Sequence, residues 1–316
     1  MARSRLVGRS RPPGKKSAAP APSGRLAAKP RRMKPPTAAP RARAAPGAVV
    51  PDGGFIRTVP LHYPRPVYTP QEHAALISGR VDLYDGKPHA PPATAHLSYR
   101  NGPLLVRPAV YAVYWGASWN TAPSARILRG QIDQFFRDIL VSPLMDQLAE
   151  YNVKGQSIGH GQYLGSAVRT DGAPSGSVTD AAIRAQITQW LQARVLPAVT
   201  PNSLYFIYLE PGVVSVMGGS KSCQNYCGYH DAAGSIYYAV MPYPLCAGCL
   251  GGLAALDALT ATSSHELCEA ITDPVPGSGW YDDVHGEIGD ICAWNFRKIG
   301  VHSVQQEWSN AQQRCV

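Results

Sequence analysis

The segment His265-Glu266-Leu267-Cys268-Glu269 sets an imidazole and a carboxylate four residues apart, with a second carboxylate directly after the imidazole. On a helix, residues i and i+4 share a face, so His265 and Glu269 can grip one cation. Glu266 then stands where the His-Glu-x-x-His enzymes keep their general base. The chemistry indicated is metal-assisted hydrolysis, in which Glu266 takes the proton of an activated water. Glutamate in place of the second histidine makes the donor set harder and more anionic. Zn2+ is the expected cofactor, and manganese, iron or calcium also suit such a site.

Two ligands do not close a site. Asp273-Pro274 should end the helix, because proline disfavours helical backbone in the residue before it. Glu287 and Asp290 then lie 18 and 21 positions beyond Glu269, where a returning segment can deliver a third carboxylate. Glu287 is the first choice, Asp290 the second and Asp273 the third; the other role open to Asp290 is to orient His265 as a hydrogen-bond acceptor. His230, Tyr281 and His285 are candidate donors to a developing oxyanion. Against this stands a plainer reading, an amphipathic helix with solvated acids followed by acids that cap turns. No Gly-x-Ser-x-Gly elbow offers a serine nucleophile instead, and Gly159-His160-Gly161 reads as a loop.

The elements that must position these groups are legible in part. Val106–Trp115 alternates and is β-branched and aromatic, which predicts a strand. Ser124–Leu140 carries Ile127, Leu128, Ile132, Phe135, Phe136 and Leu140 at helical spacing, and Pro143–Tyr151 predicts a shorter helix. Gln156–Arg169 is strand-like, and Thr179–Leu196 predicts a capped helix with Ile183, Ile187, Leu191 and Val195 on one face. Ser203–Leu209 (SLYFIYL) has the continuous apolar character of a central strand. Ser235–Met241 predicts a strand near a sheet edge, and Leu253–Thr272 the metal-type helix. This order suits an α/β, zincin-like mixed sheet with packed helices, in which an edge strand beside the helix receives extended substrate.

All seven cysteines lie between Cys223 and Cys315. Cys223, Cys227, Cys246 and Cys249 suit either a zinc site, with His230 as a competing ligand, or structural disulfides. Disulfides are favoured because Cys292 and Cys315 look like a further pair, making the C-terminal part disulfide-rich. Cys268, inside the expected metal-type helix, is the thiol left over.

The formal charge of +9 belongs to one end of the chain. The first fifty residues hold 13 Lys and Arg and no acid, leaving 17 basic against 21 acidic residues in the remainder. Residues 1–51, rich in Pro and Ala and poor in large apolar side chains, are expected to be a disordered tail. Such a tail binds anionic surfaces weakly and reads no specific nucleic acid. It holds no apolar stretch of the length a signal peptide needs, and no run in the chain is long enough to span a membrane. Residues 52–102 read as an extended Pro-rich strap, and 103–316 as a single α/β metal-binding domain.

Several separated motifs resemble the plant EXORDIUM-like (phosphate-induced protein) family and its bacterial relatives. They are SHELCEAITDP from Ser264 to Pro274, the Trp280-Tyr281 pair, EIGDIC from Glu287 to Cys292, and VQQEW from Val304 to Trp308 ahead of Cys315. The block CQNYCGYH from Cys223 to His230, with Tyr238 and CAGC from Cys246 to Cys249, is similar to that family's paired-cysteine segment. The resemblance covers roughly residues 108–316. It implies an extracellular or cell-wall location and disulfide-bonded cysteines, but no established reaction. Two functions are therefore expected to compete, with binding of nucleic acid or an anionic surface through the basic tail a weaker third. One is a zinc metallopeptidase-like hydrolase acting on peptide or protein; the other is a non-catalytic secreted interaction protein.

Overall fold

Strand Ser203–Leu209 is buried at every position, which requires cover on both faces of the sheet it joins. The computed structural model, which describes residues 58–61 and 94–316, provides that cover. The strands are β1 (Thr58–Pro60), β2 (Ser98–Tyr99), β3 (Ala109–Trp115), β4 (Gln162–Arg169), β5 (Ser177–Thr179), β6 (Ser203–Leu209), β7 (Val214–Met217), β8 (Ser220–Lys221), β9 (Tyr226–Ala233) and β10 (Ile236–Met241). Six of them form one sheet in the order β1-β9-β10-β6-β3-β4. The pairs β10/β6, β6/β3 and β3/β4 are parallel, whereas β9 runs antiparallel to both β10 and β1. The protein is thus mixed α/β around a mixed sheet.

Helices α1 (Ser118–Thr121), α2 (Pro123–Ile139), α3 (Pro143–Gln147), α4 (Asp180–Gln192), α5 (Ala247–Leu250) and α6 (Ala255–Thr272) complete the layers. Alternation along β6 divides the core. Leu204, Phe206 and Tyr208 face a cluster with α2 and α6 residues such as Phe136, Leu267 and Ile271. Tyr205, Ile207 and Leu209 face Ile183, Ile187 and Trp190 of α4. Thr179 caps α4 by accepting from the Ala182 N–H, as the sequence suggested for a helix starting there.

Ser235–Met241 was expected near the edge, but β10 lies inside the sheet, between β9 and β6. The strand outboard of it is the cysteine block itself, Tyr226–Ala233, which turns back through Gly234-Ser235. Gly234 has a φ of 65°, as two-residue hairpin turns demand. Outside β9, Thr58 and Val59 pair with Tyr229 and Gly228.

After α6 come β11 (Trp280–Tyr281), β12 (Phe296–Ile299), β13 (His302–Gln305), β14 (Trp308–Ser309) and β15 (Arg314–Cys315). β13 lies against α6, where the Gln305 N–H donates to Ser264 Oγ at 2.9 Å. Three disulfides tie this half of the molecule: Cys223–Cys246, Cys227–Cys249 and Cys292–Cys315. Cys268 is free and buried. Of the expected strap, β1 and β2 are described; residues 52–57 and 62–93 and the basic tail lie outside the described residues. Among the described residues, no helix is long and apolar enough to cross a membrane.

Candidate metal centre

Helix α6 is buried on all sides from Ala258 to Thr272, so each polar side chain on it must find a partner inside the protein. Most do. Ser263 Oγ meets the Tyr208 hydroxyl at 2.7 Å, Ser264 donates to Ala261 O, and Thr272 donates to Cys268 O. The helix stops as the Asp273-Pro274 pair requires. The Asp273 carboxylate then accepts the N–H groups of Gly277, Ser278 and Gly279 at 2.6, 3.0 and 2.6 Å, fixing the turn into the returning segment.

That segment brings Glu287 and Asp290 back to His265, Glu266 and Glu269. His265 Nε2 lies 2.9 Å from Glu269 Oε1 and 3.9 Å from Asp290 Oδ1. The Asp290 N–H also donates to Glu269 Oε1 at 3.1 Å. Strand β9 adds His230, whose Nδ1 lies 3.1 Å from Glu266 Oε2 and 3.5 Å from Glu269 Oε2. On its other side, His230 Nε2 lies 3.5 Å from Glu287 Oε1. Two close approaches make room for this. A Cβ on Gly228 would come within 2.8 Å of Thr262 and 3.3 Å of Glu266, and one on Gly289 within 2.8 Å of the His265 ring.

His230, His265, Glu266, Glu269 and Glu287 are all fully buried (0% exposed), a burial that ionised carboxylates tolerate only with compensating positive charge. Several atoms of these residues and of the adjoining Asp290 carry no hydrogen bond: His265 Nε2, Glu266 Oε1, Glu269 Oε2, both oxygens of Glu287, and Asp290 Oδ1. Burial by itself would lower both imidazole pKa values, but the surrounding carboxylates override it and raise them well above the ordinary value. Burial raises Glu266, Glu287 and Asp290, and the neighbouring carboxylates add to the shift. Glu269 departs from them: burial opposes its ionisation, yet the charges and hydrogen bonds of His265 and His230 bring it down to about 2. Glu269 is therefore the electrostatic hub. The donor set of imidazoles and carboxylates fits a divalent transition cation.

The residues expected to act together divide as follows. His265, Glu266, Glu269, Glu287, Asp290 and His230 converge. Asp290, rather than Glu287, faces the His265–Glu269 pair, and Glu287 stands beside His230. Tyr281 sits on β11 paired with Ser98, with the Arg100 guanidinium 4.6 Å from its ring centroid. His285 is engaged by Asp282, and His160 by Asp146 at the surface.

Gln305, the Asp273 carbonyl and Gly289 were not anticipated. Gln305 Oε1 meets His265 Nδ1 at 3.0 Å, taking the orienting role considered for Asp290, and the Asp273 carbonyl lies 3.1 Å from His230 Nε2. Gln305 did lie within one of the motifs that carried the family resemblance. Compared with models of known protein families, with curated proteins and with solved structures, the chain matches none.

Proposed function

We propose that the chain is a metal-dependent hydrolase of zincin-like layout, acting on extended peptide and working in an oxidising, extracellular setting. One observation carries the reading. A single buried turn of α6 sets His265, Glu266 and Glu269 within a cluster of donor atoms that lack hydrogen bonds, beside strand β9, the neighbour of the outermost strand β1. His265, Glu269 and Asp290 would hold the ion, with Glu287 and His230 adjoining; the chemistry a divalent cation supplies is Lewis-acid activation of water and of a carbonyl. Glu266 is the general base. Its Oε2 faces His230 Nδ1 and its Oε1 is free of hydrogen bonds, which leaves one oxygen open to take up a proton. The outer edge of β9 accepts an extended strand, since Thr58–Pro60 lies there antiparallel. Three disulfides are what an oxidising compartment permits.

A second reading, a non-catalytic secreted protein of EXORDIUM-like kind, draws on the burial of the same cluster, complete but for Asp290. There the ion and carboxylates would only fasten the C-terminal segments. The two readings part on Glu266→Gln. The hydrolase reading expects the ion at His265, Glu269 and Asp290 to stay bound by elemental analysis, with loss of at least a hundredfold in cleavage of a peptide library. Absence of cleavage by the metal-loaded wild-type chain would leave the fastening role.

A further inference from the structure

We infer that the cluster is built for two divalent cations bridged by Glu269, an inference that rests on the metal-binding reading above. The two histidines carry the argument. Each has one ring nitrogen committed to an oxygen that can only accept. His265 Nδ1 meets Gln305 Oε1, and the orientation of that amide is set because Gln305 Nε2 donates to Gly289 O at 2.9 Å while Oε1 also accepts the Trp294 N–H. His230 Nε2 meets the Asp273 backbone carbonyl. With a cation on the other nitrogen, the proton of each neutral ring would sit on this committed nitrogen, as in metal-bound histidines held from behind by an acceptor.

The nitrogens left over, His265 Nε2 and His230 Nδ1, would offer their lone pairs to ions when the rings are neutral, and they lie beside opposite oxygens of one side chain. His265 Nε2 faces Glu269 Oε1 at 2.9 Å; His230 Nδ1 faces Glu269 Oε2 at 3.5 Å. The remaining donors divide the same way. Asp290 joins His265, and Glu266 joins His230 through Oε2, its Oε1 remaining free to act as the base. The groups His265, Glu269, Asp290 and His230, Glu266, Glu269 each have donor atoms within 4.8 Å of one another, and Glu269 is common to both. Separations of this size suit ligands that share an ion at about 2.0–2.2 Å.

Charge points the same way. Glu266, Glu269, Glu287 and Asp290 bring four negative charges when ionised, and two neutral imidazoles bring none. Two divalent cations neutralise that set. A single one leaves two charges uncompensated in a site buried but for Asp290, unless protons take the second place. A carboxylate spanning two ions, with one histidine on each, is also a known way of building paired metal sites from helices.

The test uses the full chain, oxidised, stripped by chelator and reloaded separately with Zn2+ or Mn2+. Elemental analysis after desalting should give two ions per chain, and the Mn2+ form should show the electron paramagnetic resonance signature of a coupled pair. Glu269→Gln, which keeps the side-chain shape, should lose both ions, while His230→Ala and His265→Ala should each retain one. Near-ultraviolet circular dichroism checks that each variant is folded, and the wild-type resonance spectrum decides the matter independently of any variant. One ion per chain overturns the paired site and leaves the metal reading standing. Two ions without coupling, or loss of only one in folded Glu269→Gln, overturns the bridge. No ion overturns both readings and leaves imidazolium–carboxylate pairs as the occupants.

Discussion

Gly289 has an ordinary helical φ of −79°, so what it contributes is space rather than backbone freedom. A methyl group there would stand 2.8 Å from His265 Cγ and Nδ1 and 2.9 Å from Glu269 Oε1, all belonging to the cluster. Overpacking of this kind costs about 1–3 kcal/mol. Gly289→Ala should therefore weaken Zn2+ binding by about tenfold or more in calorimetric titration; unchanged affinity would show that the His265 ring is free to move and is no fixed ligand. Gln305→Leu removes the acceptor behind His265 and should lower affinity about 10- to 100-fold, the usual cost of losing such a partner. If affinity holds in that variant, Gln305 serves packing alone. These residues also show what could be read from the chain. His265, Glu266 and Glu269 were legible because their spacing alone places them on one helical turn. Gln305 was not, because it orients His265 only when a strand 40 positions downstream lies against α6.

Among the elements, β6 was legible for a physical reason: a strand covered on both faces must be apolar throughout, and SLYFIYL is. β9 was not, since Gly228, His230 and Asp231 have the composition of a loop. Its strand conformation depends on β10, with which it forms a hairpin, and on β1, three residues whose own sequence carries almost no signal. Their attachment is specific nonetheless. Val59 and Leu61 pack with Cys227, Cys249 and Trp294, and the Trp294 indole N–H donates to Pro60 O at 2.9 Å. A chain beginning at residue 62 should thus expose the backbone groups of β9 that pair with Thr58 and Val59. Hydrogen exchange at Cys227–His230 should accelerate at least tenfold while β6 amides keep their protection. Equal protection in the two chains would mean that β1 contributes no cover to this edge. If extended peptide is the substrate, the shortened chain should also bind it more tightly, because Thr58–Pro60 already lies where such a strand would pair.

At the scale of the molecule, the cross-links surround the cluster. Cys223–Cys246 and Cys227–Cys249 fasten the start of β9 to the turn of α5, and Cys292–Cys315 fastens the end of the segment bearing Glu287 and Asp290 to the C-terminus. The cation and the third disulfide therefore order the same stretch of chain, and their stabilising effects should be linked. A loop closed over a sequence separation of 23 is worth about 3 kcal/mol in the chain-entropy account. A cation at a hundred times its Kd adds about 2.7 kcal/mol, provided that the unfolded chain does not bind it. The double variant Cys292→Ser, Cys315→Ser should lose about 3 kcal/mol in urea unfolding of the metal-free chain. It should also bind Zn2+ more weakly than the parent, because binding must then order the Glu287–Asp290 segment as well. The added cation should accordingly stabilise the variant less than the parent at equal free Zn2+. If the parent and the double variant bind Zn2+ equally, the segment is ordered without its cross-link, and α6 with β13 suffices to hold the donors in place.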